Sequence, residues 1–101
     1  MDRIERIKAM EAALNETRDA AEQLREAVAA QAVALDSVRA LSAYYGSQDW
    51  YKDLEADERG KLPEGLERGV LSEDLPYEAL VDAREAALGA LEVATSMLRA
   101  L

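Results

Sequence analysis

The side chains of this chain best supplied to do chemistry are carboxylates. Asp49, Asp53, Glu55, Asp57, Glu58 and Glu64 stand close together in its middle. Asp53, Glu55, Asp57 and Glu64 fall on positions 1, 3, 5 and 12 of an EF-hand calcium loop. Two residues break the pattern. Glu58 occupies the position where the loop needs Gly for its sharp turn, and Pro63 directly precedes the last ligand. The run therefore reads as a solvated acidic surface, and no metal or other cofactor is expected. Paired carboxylates also serve as acid and base in glycoside hydrolysis, but that chemistry needs a cleft, which a thin helical chain is not expected to form.

Nucleophilic catalysis has less to work with. Ser42, Ser47, Ser72 and Ser96 have no histidine to activate them, because the chain contains none. A serine–lysine pair would need Lys52 or Lys61 desolvated. Cysteine is absent as well, which excludes disulfides, thiolate zinc sites and a thiol nucleophile. Gly60, Gly65 and Gly69 lack the Gly-Lys-Ser/Thr ending of a phosphate loop. No catalytic residue is assigned, and the chain is not expected to be an enzyme.

Aromatic side chains offer binding instead. Tyr44, Tyr45, Trp50 and Tyr51 are four of the five aromatics, with Asp53 and Arg68 further along. Trp, Tyr and Arg dominate binding hot spots, so Tyr44, Tyr45, Trp50, Tyr51, Asp53 and Arg68 are the candidate binding residues. Trp50 and one tyrosine serve equally as a plug at the end of a helix pair, and for Trp50 the plug outweighs the interface anchor. Arg68 has acids nearby to pair with, and Arg84 has the carboxylates of the central segment.

These residues must be positioned by helices. Between Asp2 and Tyr45 there is no Gly and no Pro. Ile7, Met10, Leu14, Thr17, Ala21, Leu24, Val28, Gln31, Leu35, Val38, Ser42 and Tyr45 recur with the heptad spacing of a coiled-coil seam. Ile4, Val33 and Leu41 widen that stripe. Asp2 with Arg6, Glu5 with Lys8, Glu22 with Arg25 and Asp36 with Arg39 add opposite charges at helical spacing. The spacing predicts a long helix over 2–45, stopped by Gly46. A second helix is predicted over 76–101, with Pro76 in its first turn. Its stripe is Tyr77, Val81, Arg84, Leu88, Leu91, Thr95 and Leu98, and Gly89 lies in its interior.

The connection over 46–75 differs in character. Residues 47–75 hold nine acidic and four basic side chains, a net −5 of the chain's −9. Trp50, Leu54, Leu62, Leu66, Val70, Leu71 and Leu75 give it apolar surface to bury, which disordered segments lack. Ser47 caps a short helix to about Ala56. Pro63 starts a further turn that Gly69 ends.

The fold expected is all-α: a long N-terminal helix packed with a C-terminal helix, as a helical hairpin or coiled-coil-like bundle, with an ordered connection. At 101 residues a single domain over 1–101 is the default. A 43-residue helix would be about 65 Å long, against about 39 Å for the C-terminal one. Part of the first helix then needs a bend near Ala29–Ala34, cover from the connection, or a second subunit. Nothing at Ala29–Ala34 resembles a turn, so a homodimer is expected.

Charge and hydropathy narrow the partners. No Lys/Arg cluster offsets the net −9, so direct nucleic-acid binding is not expected. The longest nearly apolar stretch, Ala27–Leu35, is interrupted by Gln31 and falls far short of the ~20 residues of a membrane span. The opening residues lack the basic start and apolar run of a signal peptide. A cytoplasmic location is expected.

Tyr44-Tyr45-Gly46-Ser47 with Trp50, followed by Arg68-Gly69-Val70-Leu71-Ser72-Glu73-Asp74, resembles the YYGS-x-x-W and RGVLSED blocks of a family of short, mostly bacterial helical proteins catalogued only as a domain of unknown function. The resemblance covers nearly the whole chain. In that family a Lys often precedes the Arg-Gly-Val-Leu block, where this chain has Glu67, which weakens a basic-patch reading. The resemblance implies no activity, substrate or cofactor. Two functions are therefore carried forward: a non-enzymatic interaction or regulatory module acting as a helical homodimer with an unidentified protein partner, and a small-ligand or divalent-metal-binding protein using the acidic central segment.

Overall fold

The computed structural model describes residues 2–101. Its first element, α1, is an unbroken helix over Arg3–Tyr44, within a residue of the expected span at each end. Asp2 starts it by accepting the backbone N–H of Glu5 on Oδ1 at 2.8 Å, a cap worth about 1 kcal/mol. Glu22 and Arg25 pair along the surface at 3.0 Å. The helix stops at Gly46, whose φ of 79° is left-handed backbone open to glycine at little cost. No bend interrupts Ala29–Ala34, and no residue of α1 is buried. The seam residues Leu14, Leu24, Val28 and Leu35 are all exposed.

Helix α2 spans Gln48–Glu58. Ser47 caps it as expected, its side chain accepting the Trp50 N–H at 3.2 Å. Gly60 ends it with φ 68°, and the Gly60 and Lys61 N–H groups close on the carbonyls of Asp57 and Ala56 at 3.0 Å each. That doubled closure is a Schellman ending.

The expected turn from Pro63 to Gly69 does not form as a helix. Pro63 accepts Leu66 N–H in a single turn at 3.2 Å, and the 3-10 turn η1 starts at Gly69 and covers Gly69–Leu71. The cause is Arg68. Its guanidinium donates to the backbone carbonyls of Glu64 and Leu66 at 3.3 Å each, and the side chain thereby holds the segment in a loop.

Helix α3 spans Asp74–Ala100 and begins two residues before the expected Pro76. Ser72 is the side chain that starts it, accepting Leu75 N–H at 2.9 Å. Pro76 is buried in the first turn. Among the described residues there is no strand, and the fold is all-α.

By its contacts the chain divides into Met1–Asp36 and Ser37–Leu101. The first unit is helix throughout its described length beyond Asp2, with Ile7, Met10, Leu14, Leu24, Val28 and Leu35 exposed and Ala9, Ala21 and Ala34 half-buried. The second has a small core around Trp50 and Leu71, 4% and 8% exposed. Packing there runs through η1, which rests against both α2 and α3. From Asp82 to Ala100 every residue of α3 is exposed.

Candidate functional site

Trp50 organises the connection. Three residues after the Ser47 cap it projects from the first turn of α2, and its indole N–H donates to the Val70 carbonyl at 2.8 Å. Tyr45 and Tyr51 pack edge-on against it, with ring centroids 5.1 and 5.0 Å away at 70° and 75°. Edge-to-face geometry sets the positive rim of one ring against the negative face of another and adds about 0.5–1.5 kcal/mol per pair beyond burial. Tyr45 then donates its hydroxyl to the Glu73 carbonyl at 3.1 Å. The end of α1, the start of α2, η1 and the start of α3 are tied together through this one aromatic group.

Three carboxylates of the acidic run already have partners. Asp53 accepts the Tyr44 hydroxyl on Oδ2 at 2.6 Å. Asp57 accepts the Arg68 guanidinium at 2.7 Å, with the two side chains 25% and 35% exposed. Glu55 pairs along α2 with Arg59 at 2.5 Å. Among the described residues, no group of three or more carboxylates stands close enough to hold a metal ion. Asp53, Glu55 and Asp57 of the spacing that matched a calcium loop lie on α2, where Glu55 points to the side opposite Asp53 and Asp57.

The six candidate residues thus fall into three parts. Tyr45, Trp50 and Tyr51 form the aromatic group, Tyr44 and Asp53 form a hydrogen-bonded pair, and Arg68 stands with Asp57 at the loop. Of the two roles weighed for Trp50, the plug matches its burial. Tyr51 covers one side of the indole and remains 61% exposed. Arg84 is exposed on α3, and no ion pair joins it to the connection among the described residues. Sequence reasoning did not find the carbonyls of Val70 and Glu73, because a backbone acceptor carries no residue-type signal.

The phenol of Tyr44 is pushed up to about 12, first by its hydrogen bond to Asp53, then by burial and by the charges of Asp53 and Asp49. The folded state therefore favours the protonated phenol. Its contribution to stability is complete below pH ~10, the unfolded value, and is lost as pH rises towards 12. Absorbance titration is expected to show a late phenol that Tyr44→Phe removes. A late phenol that persists in Tyr44→Phe would contradict it.

The model of the family described as a domain of unknown function, DUF4298, matches residues 7–93. No curated protein and no solved structure matches the chain.

Proposed function

We propose, from the premise that the chain belongs to the DUF4298 family, that this protein is a non-enzymatic interaction module working as a helical homodimer. The observation that carries this reading is the uncovered seam of α1: a heptad stripe about ten turns long, from Ile7 to Ser42, in which no residue is buried. Burying one such side chain is worth about 1.5–3 kcal/mol, and a chain whose own core is Trp50 and Leu71 gains much by covering it. In this reading the aromatic group holds the connection in shape, and Tyr51 with the acidic residues around it faces a protein partner. The net charge of −9 favours a basic partner surface over nucleic acid. No helix among the described residues is long and apolar enough to cross a membrane, and a cytoplasmic location is part of the proposal.

Static light scattering at micromolar concentration tests the assembly. The expected mass is twice the 11.1 kDa of one chain, and a monomer would sink the proposal. Affinity capture with Tyr51→Ala beside the parent tests the contact surface. Tyr51 suits this better than Trp50, because removing an exposed ring leaves the core in place.

A further inference from the structure

Helix α1 is too long to be covered by the rest of its own chain, wherever that lies. It has 42 residues, about 63 Å of helix, against 27 in α3, about 40 Å. Even α2 and α3 together hold fewer helical residues than α1, and α2 turns Trp50 into its own core. A second copy of α1 matches the seam in length from end to end.

The order of side chains along the seam decides how it fits itself. Two α1 helices laid antiparallel, with a two-fold axis at the level of Glu26, set Met10 against Ser42 and Leu14 against Val38 of the second copy. The same register sets Thr17 against Leu35, Ala21 against Gln31 and Leu24 against Val28. Each layer combines a larger with a smaller side chain, the condition for even packing. The Thr17 hydroxyl donates to the Ala13 carbonyl of its own helix at 2.7 Å, so it enters the seam with its donor used. A parallel pair in register matches Arg6 with Glu11 on its flanks but packs unevenly. It sets Ala21 on Ala21, Thr17 on Thr17 and Ser42 on Ser42, thin layers between thick ones of leucine. It also brings two connections, each net −5 over 47–75, to the same end. Antiparallel pairing keeps them at opposite ends of the helix, far beyond the ~8 Å over which salt screens charge.

Flanking charges select the register. One flank of the seam carries Glu11, Arg18, Arg25 and Arg39. Centred at Glu26, the pair sets Glu11 against Arg39 of the second copy at both ends. Arg39 has Asp36 three residues before it, and its five-donor fork serves a further carboxylate. One like-charge contact remains, Arg25 on Arg25 at the axis, and each of these is bound to its own Glu22 at 3.0 Å. Sliding by one heptad removes both attractive pairs and sets Arg18 against Arg25, or Arg18 against Arg39, twice. A two-heptad slide towards the N-terminus recovers attraction, Glu11 with Arg25, but leaves Leu35 and Val38 uncovered. The other flank carries Ala13, Ala20, Ala27 and Ala34. Ala20 there meets Ala34 and Ala27 meets Ala27, so small side chains let the helices approach. We infer that the homodimer is an antiparallel pair of α1 helices in this register. The inference rests on the homodimer proposed above and names its contact, orientation and register.

The test uses full-length chains carrying Glu11→Arg, Arg39→Glu or both changes, with the dissociation constant read by sedimentation. Each single change makes both Glu11–Arg39 contacts repulsive and is expected to weaken the dimer about tenfold. The double variant exchanges the two charges and is expected to return to within about twofold of the parent. Residues 11 and 39 stand about 42 Å apart along one helix, so such a rescue passes between chains. Cysteine adds a second readout, because the chain has none of its own. Ala27→Cys meets its own copy at the axis and is expected to join two chains through a short bismaleimide. Thr17→Cys, facing Leu35, is expected not to. A parent dimer whose double variant is no tighter than the single ones would overturn this pairing and leave the homodimer standing. Cross-linking through Thr17→Cys but not Ala27→Cys would do the same, in favour of a parallel pair. A monomeric parent would overturn both.

Discussion

Trp50→Ala is expected to destabilise the protein by about 3–5 kcal/mol, the usual cost of emptying a large aromatic from a core. Such a loss would take a fifth or more of the roughly 5–15 kcal/mol that holds a domain of this size. The effect should sit at the upper end. Among the described residues only Trp50, Leu71 and Pro76 are buried. Removing Trp50 strips the ring from two edge-on contacts and leaves the Val70 carbonyl without its donor. Trp50→Phe separates these contributions. It keeps an aromatic plug and loses the N–H, so about 1–3 kcal/mol is expected from the orphaned carbonyl with the smaller ring. Urea unfolding followed by far-UV circular dichroism, at one fixed chain concentration because assembly adds to apparent stability, measures both. An alanine variant within 0.5 kcal/mol of the parent would mean that the aromatic group does not hold the connection.

The same residue shows what a sequence makes visible and what it conceals. A lone Trp beside Ser47 at a helix start is legible as a plug, because the cap signal and the apolar bulk are local. Its acceptor lies twenty residues on, in η1, and depends on the path of the loop. Helix α1 was readable almost to the residue because nothing between Asp2 and Tyr45 opposes it, and Gly46 and Gly60 supply the left-handed stops. The segment from Pro63 to Gly69 misled for an instructive reason. Pro at a first turn and Gly at an ending are real helix signals, but Arg68 donates to the carbonyls of Glu64 and Leu66 and to Asp57 and so holds a loop. Asp53 likewise looked like a ligand by its spacing and is instead the acceptor of a tyrosine nine residues before it. Of the site, residue types and neighbourhood were legible. The pairings were not, since each depends on how α1, α2 and the loop are turned towards one another. Val33 makes the same point on α1. Counted as widening the seam, it lies near the opposite side of the helix, at 100° per residue from Leu35, and is 84% exposed.

That difference between Val33 and the seam gives a decisive comparison. Leu24→Asp is expected to abolish the dimer, raising its dissociation constant more than a hundredfold, whereas Val33→Asp should leave it within a few fold. Both substitutions put the same side chain into the same helix, so the loss of helix propensity, at most ~0.7 kcal/mol, is closely shared. They differ in what meets the new carboxylate. At Leu24, which is exposed in the single chain, association would have to desolvate a charge with no partner and give up the burial of a leucine. The two costs together come to several kcal/mol at each of two symmetry-related places, and every 1.4 kcal/mol is a factor of ten in affinity. At Val33 the carboxylate stays in water and costs almost nothing. Sedimentation velocity over a concentration series reads both constants directly, and helical content by circular dichroism shows whether α1 survives in each. Equal weakening by the two variants would place the interface elsewhere than the heptad seam. No weakening by either would separate the seam from assembly altogether and leave the exposed stripe of α1 as the docking face for a different partner.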